Sequence, residues 1–201
     1  MKEILRLVVV LGIICAVSGL TLAAVQQVTK KPIELQVLKN VQGPALKKVL
    51  GDFGPDATAA DKLENDPIAD NFKLPAGNDK KGRPVEKVIF PAKKGGKLVA
   101  VALDGKGAGF GGDISVMVGI TPEGTLTGIA IMKQSETPGI GSKVLDPAFT
   151  NQFHGKALDE ATRVDGVSGA SFSTKGTFAA VQQAVDFYKQ HKDEILAQAG
   201  K

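Results

Sequence analysis

An uncharged apolar segment near the N-terminus is the feature that most restricts how this chain can fold. Leu7–Val25, LVVVLGIICAVSGLTLAAV, has no charged residue in 19 positions. As a helix it would span about 28 Å, which is close to the thickness of the hydrocarbon core of a bilayer. The segment therefore predicts a membrane-spanning helix, and we assign residues 1–29 to an N-terminal transmembrane anchor.

A cleaved signal peptide is the alternative for this segment. The apolar core of a signal peptide is usually about 7–15 residues long, which is shorter than this run. The following TLAAVQQ offers only a partial small-x-small cleavage site, so we expect an uncleaved anchor. Two basic residues precede the segment and two follow it, and this balance leaves the orientation of the anchor open.

The composition favours one domain behind the anchor and argues against nucleic-acid binding. Hydrophobic residues make up 43% of the 201 residues, and the 24 glycines exceed the average share of about 7%. The net charge of +4 comes from dispersed lysines, and aromatic residues are scarce, so neither a basic stripe nor stacking rings are indicated. The single cysteine, Cys15, lies in the apolar segment, which excludes an internal disulfide or a cysteine metal site.

The hydrophobic pattern predicts an α+β fold in which an antiparallel sheet packs with helices. Residues 30–84 indicate a juxtamembrane region of helix and loop, with a helix over 33–50 interrupted at Gly43-Pro44. From residue 85 to 201 the pattern indicates a folded domain. VEKVIFPAKKGGKLVAVAL predicts two strands joined at Gly95-Gly96, and DISVMVGI and TLTGIAIM predict two more, joined by TPEG. Helical patterns follow over 142–153 and from Lys175 to the C-terminus.

Three familiar kinds of catalytic or metal site find little support in the sequence. GAGFGG, residues 107–112, matches G-x-G-x-x-G, but a strand follows it where a dinucleotide fingerprint requires a helix. A Gly-rich turn at a sheet edge, or a place where a flat ligand approaches the backbone, is expected instead. The only histidines, His154 and His191, have no partners at metal-ligand spacing, and no serine lies in a G-x-S-x-G context. We therefore predict no metal ligand and no catalytic residue.

VDGVSGASFSTKGTF, residues 164–178, is the first of two stretches that suggest a ligand site. Ser173 or Thr174 is a candidate N-cap of the last helix, which would place Ser171 just before the helix N-terminus. Free N–H groups and the helix dipole favour a phosphate at such a position. Gly169 and Ala170 leave room around the Ser171 hydroxyl, and Asp165 could bind a cation or orient a donor. A simple capping loop is the alternative.

SETPGIG, residues 135–141, is the second stretch and follows a predicted strand. Pro138-Gly139 favours a turn, and Gly141 keeps the backbone bare. The stretch is either a plain connection or a site. In a site, Glu136 and Thr137 would supply hydrogen-bonding groups beside bare backbone that admits a planar ring.

Four segments of this chain resemble a known family. DGVSGAS, Asp165–Ser171, resembles the flavinylation pattern D-x-x-[ST]-G-A-[TS], and SETPGIG resembles that family's E-T-P-G-L-G. GFGGDISVMVGITPEGTLTGIAI resembles its sheet segment, and FHGK resembles its F-x-G-K. The segments run in family order over about residues 105–185 behind a single anchor. The chain is similar to the G subunit of Rnf electron transport complexes and more distantly to the C subunit of the sodium-pumping NADH:quinone reductase.

The resemblance implies a cofactor, its site and its partners. A flavin transferase would join FMN through its phosphate to the hydroxyl of Ser171, within an attachment motif that also contains Asp165, Ser168, Gly169 and Ala170. The flavin would be bordered by Glu136, Thr137, Gly139 and Gly141. The chain would pass electrons among the other membrane subunits of an Rnf-type complex, which couples ferredoxin, NAD and ion translocation. The family has a single anchor in the bacterial cytoplasmic membrane and its soluble domain on the periplasmic or outer side.

This sequence departs from the family pattern at a few positions. Ser171 stands where threonine is usual, Ile140 replaces leucine, and Phe110 stands where tyrosine is common. A hydroxyl survives at residue 171, so attachment is still expected. Two alternatives to the Rnf assignment stay open: a related membrane flavoprotein, such as a component of a quinone reductase or a stand-alone FMN carrier, and a binding module that has kept the fold without the cofactor.

Overall fold

The structure is a computed structural model that describes residues 2–51, 62–78 and 82–200. The chain forms two compact units, Met1–Asn40 and Val41–Lys201. The first unit consists of helix α1, Lys2–Val37, and the start of a π-helical turn, Leu38–Gln42, that continues the helix. Within α1, Lys2–Thr29 is the one stretch of the described residues that is long and apolar enough to cross a membrane, and its described side chains are exposed.

The second unit contains a five-stranded antiparallel sheet, which confirms the predicted antiparallel sheet and adds one strand to the four that the sequence indicated. The strands are β1 Phe72–Asn78, β2 Pro84–Lys94, β3 Lys97–Ala108, β4 Asp113–Ile120 and β5 Leu126–Lys133, and each pairs with its neighbour in the order β1-β2-β3-β4-β5. The β2–β3 turn lies at Gly95 and Gly96, whose φ angles of 61° and 67° suit a tight hairpin. The GAGFGG stretch forms the end of β3 and the turn into β4, so it is the Gly-rich turn that was expected.

The helical segments of this unit agree with the prediction except between residues 142 and 153. Helix α2 is Gly43–Leu50, with Pro44 in its first turn, and α4 is Ser171–Ala199. The single helix expected over 142–153 is wrong: the segment forms a 3-10 turn at Gly141–Leu145, a short helix α3 at Pro147–Thr150 and a 3-10 turn at Asn151–Phe153. The break falls at Asp146, which is extended because Pro147 follows it. A further 3-10 turn is Leu158–Glu160.

The main core lies between the sheet and α4. Ile114, Val116, Val118 and Ile120 of β4 are fully buried in one cluster that excludes the equally buried Met117, which confirms that the four share one face. The predicted stripe of α4 packs in the same cluster: Val181, Val185, Tyr188 and Ile195 are buried, and Phe178 is partly buried. The helix approaches the sheet closely because β3 carries glycines. A Cβ on Gly107 would collide with the carbonyl oxygen of Gly176 and lie 2.8 Å from the Ala180 nitrogen.

The compact domain begins earlier in the chain than residue 85. Helix α2 contacts β4 and β5, and the Thr127 hydroxyl donates to the carbonyl oxygen of Val49 at 2.5 Å. Strand β1, which the sequence did not indicate, pairs with β2 from Phe72↔Ile89 to Asn78↔Pro84. Residues 43–50 and 72–78, which fall in the segment assigned to a juxtamembrane region, are therefore parts of the folded unit.

Candidate functional site

An open cavity of about 270 Å³ lies where three segments meet. These are the β3–β4 turn, the SETPGIG stretch after β5, and the first turn of α4 with the residues before it. The structure thereby brings together two stretches that are about 30 residues apart in the sequence. The lining residues are Phe110, Glu136, Thr137, Ile140, Gly141, Gly169, Ala170, Ser171, Phe172 and Ser173.

Ser171 is the first residue of α4, and its side chain is exposed on the cavity wall. The N-cap is Ala170, so the expectation that Ser173 or Thr174 caps the helix is wrong. Both hydroxyls have other partners: the Thr174 hydroxyl accepts the N–H of Val167 at 3.1 Å, and the Ser173 hydroxyl donates to Glu136. Ser171 therefore belongs to the helix itself.

The N-terminus of α4 faces this cavity without a side-chain cap in the described part of the chain. The first N–H groups of an α-helix have no partner within the helix, and the helix dipole places partial positive charge there. Such a terminus attracts phosphate or carboxylate groups. An anionic group next to Ser171 would meet a favourable field.

Glu136 is a buried carboxylate on the cavity wall, with only 5% of its surface exposed. Its Oε1 accepts the N–H of Gly111 at 3.0 Å, and its Oε2 accepts the N–H of Phe110 at 3.2 Å and the hydroxyl of Ser173. Burial raises the pKa of Glu136, but these three hydrogen bonds outweigh it and hold the pKa below its ordinary value. The carboxylate is therefore charged at neutral pH although it is buried.

Two glycines, Gly109 and Gly141, lie against this carboxylate, and Gly111 lies against the backbone beside it. A Cβ on Gly109 would collide with Glu136 Oε1, and one on Gly111 would collide with the carbonyl oxygen of Ser135. A Cβ on Gly141 would lie 2.6 Å from Ser173 Oγ and 2.8 Å from Glu136 Oε2. The small size of these residues is thus needed for packing around Glu136.

Three large apolar side chains on the cavity wall are exposed to solvent. Phe110 is 73% exposed, Phe172 67% and Ile140 54%, and the ring centroids of the two phenylalanines are 6.1 Å apart. The sequence patterns did not assign them to the site. The available signal was position: Phe110 lies inside a glycine turn, and Phe172 directly follows Ser171. Exposed rings at a cavity favour an apolar, planar ligand.

Three of the predicted site residues do not line the cavity. Asp165 is exposed, and its backbone N–H donates to Gln152 Oε1 at 2.8 Å. Ser168 is exposed in the turn that precedes Gly169. Gly139 has a φ of 74° and donates its N–H to the Ser142 hydroxyl at 2.9 Å, so its role is to form the turn after Pro138. Gly169, which does line the cavity, has a φ of 78°.

The site offers an anion-binding helix terminus, a free hydroxyl and apolar rings. Among the described residues no group of three or more His, Cys, Asp or Glu side chains could hold a metal ion. The site therefore fits an organic ligand that combines a phosphate with a flat apolar ring.

Part of the sequence and the fold of this domain match known proteins. Residues 109–186, which include every cavity-lining residue, match the sequence family described as an FMN-binding domain. The fold resembles the crystal structure of Shewanella oneidensis NqrC with a TM-score of 0.52 and 24% sequence identity, over 67% of this chain and 75% of that one. The fold therefore resembles that of NqrC, and residues 109–186 carry the sequence pattern of an FMN-binding domain.

Relatives that match nearly the whole chain identify the family to which it belongs. The chain is 30% identical over 200 residues to the G subunit of the ion-translocating oxidoreductase complex of Vibrio vulnificus, covering 92% of this chain and 88% of that protein. It is 26% identical over 185 residues to the G subunit of the proton-translocating ferredoxin:NAD(+) oxidoreductase complex of Clostridium ljungdahlii, covering 88% and 86%. The chain belongs to the family of G subunits of ion-translocating oxidoreductase complexes.

Proposed function

We propose that this chain is the FMN-carrying electron-transfer subunit of an Rnf-type, ion-translocating ferredoxin:NAD oxidoreductase complex, and that its FMN is joined by a phosphodiester to Ser171. Family membership supports the first part, because the relatives are subunits of such complexes. The second part rests on one observation. Ser171 presents an exposed hydroxyl on the cavity wall at the uncapped N-terminus of α4.

The cavity fits part of FMN better than the whole molecule. Sites for small molecules usually enclose about 300–1,000 Å³, and this cavity of about 270 Å³ is smaller and open. Noncovalent contacts alone would therefore hold FMN weakly. A covalent bond at Ser171 would prevent its loss, which matters for a cofactor used outside the cytosol.

The chemistry of attachment assigns a role to each part of the site. The Ser171 oxygen would form a bond to phosphorus and lose its proton, while the bond from phosphorus to a leaving group on an activated FMN donor breaks. A flavin transferase is the partner that would supply this donor. The N-terminus of α4 would stabilise the remaining phosphate charge. Once bound, FMN supplies the electron-transfer chemistry, and the chain holds and orients it.

The proposal also includes a location and partners. The anchor at Lys2–Thr29 would cross the bacterial cytoplasmic membrane once, with the FMN-binding domain on the periplasmic or outer side. The other membrane subunits of the complex would be its electron-transfer partners. We expect no nucleic-acid partner, because the lysines are dispersed and aromatic residues are few.

Coexpression with a flavin transferase tests the attachment. The parent chain should show flavin fluorescence in a denaturing gel, because a covalent bond survives denaturation. Ser171→Ala should abolish the fluorescence, and Ser171→Thr should retain it because the hydroxyl remains. Ser135→Ala, which removes an exposed hydroxyl outside the cavity wall, is the matched control and should stay fluorescent.

Mass spectrometry of the peptide that contains residues 165–175 then identifies the modified residue. Fluorescence that persists in Ser171→Ala, or a label on another residue, would refute the site. A colourless parent chain in the presence of an active transferase would refute the proposed flavin carrier.

A further inference from the structure

The Glu136 carboxylate connects the β3–β4 turn with the first turn of α4. In the described residues, no other side-chain hydrogen bond joins these two segments. It accepts the N–H groups of Phe110 and Gly111 from the β3–β4 turn, at 3.2 and 3.0 Å, and the hydroxyl of Ser173 from α4. Each of its oxygens is occupied by donors from the protein. The carboxylate is therefore a junction between the glycine turn and the first turn of the helix.

This junction is buried, so losing one of its hydrogen bonds costs more free energy than losing one at the surface. Glu136 is 5% exposed and Ser173 is 2% exposed. A buried charge without its hydrogen bonds is costly, whereas the same contacts at the surface would contribute little. Three donors around one carboxylate therefore favour a single arrangement of the two segments.

Glycine packing restricts the same arrangement. Gly109 and Gly141 leave no room for a Cβ beside the Glu136 carboxylate, and a Cβ on Gly141 would also meet Ser173 Oγ at 2.6 Å. The backbone thus closes around the pair from the β3–β4 turn and from the segment that follows β5. The side chains cannot shift far without moving these chain segments.

Ser171 and Ser173 lie in the same helical turn but have opposite environments. Ser173 is buried against Glu136, and Ser171 is exposed on the cavity wall. Because successive side chains on a helix are related by fixed rotation, holding Ser173 also fixes the direction of Ser171. The hydrogen bond between Ser173 and Glu136 therefore helps to fix the position of the Ser171 hydroxyl.

We propose that Glu136 and Ser173 form a positioning pair that holds the first turn of α4 against the β3–β4 turn and thereby sets the rate at which the Ser171 hydroxyl is modified. Neither residue donates the hydroxyl that reacts. The effect on modification rests on the function proposed above, whereas the link between the two segments does not.

Two measurements on the full-length chain in detergent test the pair. The first is amide hydrogen exchange at Phe110 and Gly111 in protein made without a flavin transferase. The second is the initial rate of flavin attachment after purified transferase and its flavin donor are added. Exchange reports the link between the segments, and attachment reports its consequence for Ser171.

Ser173→Ala removes one donor and leaves the carboxylate in place. We expect exchange at Phe110 and Gly111 to accelerate by about tenfold, since one buried hydrogen bond is lost, and attachment to slow by a similar factor. Ser173→Thr keeps the hydroxyl and should restore both rates to within about threefold of the parent. If Ser173→Thr restores both rates, the effect of Ser173→Ala comes from the lost hydroxyl and not from the lost side-chain volume.

Glu136→Gln changes the pair with almost no change in shape. The amide has one acceptor oxygen, so its NH₂ group must face an N–H group of Phe110 or Gly111 in either orientation. One of these two amides should therefore exchange at least about tenfold faster, and attachment should slow. Val181→Ala is the control: it removes volume from the buried stripe of α4 and should destabilise the fold without changing either rate selectively.

The outcomes are distinguishable. Parent-like exchange and attachment in both Ser173→Ala and Glu136→Gln would overturn the proposal, as would slow attachment in Val181→Ala of the same size. If the parent chain accepts no flavin, the proposed function fails, and parent-like exchange in the variants would then overturn the remaining structural link. Faster exchange with parent-like attachment would overturn the claim about Ser171.

Discussion

At the scale of single residues, the charge of Glu136 makes part of the stability depend on pH. Hydrogen bonds hold its folded-state pKa below the ordinary value of 4.5. A carboxyl whose pKa is lower in the folded state stabilises the fold above its unfolded pKa. This contribution disappears as the pH falls through the folded-state pKa.

Ser173→Ala should therefore change acid stability in a defined direction. Without the Ser173 hydroxyl, burial of the carboxyl is opposed by two hydrogen bonds instead of three, so the pKa of Glu136 rises. In both proteins the loss of stability on acidification begins near the unfolded-state pKa, but in Ser173→Ala it should be smaller and end at higher pH, because the folded-state pKa lies closer to the unfolded value. Urea unfolding at several pH values between about 3 and 7 measures this. Ser135→Ala should keep the parent profile, and a parent-like profile in Ser173→Ala would contradict the prediction.

At the level of residues, the role of Ser171 stays a prediction, and the sequence did not indicate the partners of its neighbours. The bare backbone and the helix that follows indicated a phosphate-compatible hydroxyl, and the structure places that hydroxyl on a cavity wall. From the sequence, Ser173 and Thr174 were the candidate caps of the helix. Only the folded structure assigns Ser173 to Glu136, because that partner is 37 residues away in the sequence.

At the scale of elements, the close packing of α4 on β3 is open to a direct test. Gly107→Ala would place a methyl group against the carbonyl oxygen of Gly176 and 2.8 Å from the Ala180 nitrogen. Both contacts are backbone, so the helix must move, and we expect the free energy of unfolding to fall by about 1–3 kcal/mol.

Denaturant unfolding measures this difference, with Lys106→Ala as the control. Lys106 precedes Gly107 on the same strand and is exposed, so its substitution should change stability by less than about 0.5 kcal/mol. Equal stability of the parent and Gly107→Ala would show that α4 does not lie so close to β3.

The elements that the sequence predicted well are those with local signals. Strands β2 to β5 follow from alternating apolar residues and from turns at Gly95-Gly96 and Thr121–Gly124. Strand β1, FKLPAGN, was missed because Pro75 and Gly77 argue against a strand. Proline is tolerated there because β1 is at the edge of the sheet and pairs only with β2.

At the scale of the whole molecule, the division into two units predicts how the chain can be separated from the membrane. A chain that begins at Val41 retains α2, the complete sheet and α4, and thus the core around β4. We expect this shortened chain to fold and to remain in the supernatant after ultracentrifugation. The full-length chain should sediment with membranes and resist extraction at alkaline pH.

Circular dichroism provides the control for folding, since the shortened chain should unfold cooperatively. Recovery of the full-length chain in the soluble fraction with its N-terminus intact would contradict the anchor. A mature protein that begins after the apolar segment would instead support a cleaved signal peptide. N-terminal sequencing distinguishes these two outcomes.

The exposure of Ser171 on the finished domain has a consequence for biogenesis. Its hydroxyl is accessible when α4, the sheet and the Glu136 junction are already in place. An enzyme that modifies it needs no access to a nascent or unfolded polypeptide. If Ser171 carries FMN as proposed, attachment requires only the folded domain, and folded protein without the cofactor would be a competent substrate for the transferase.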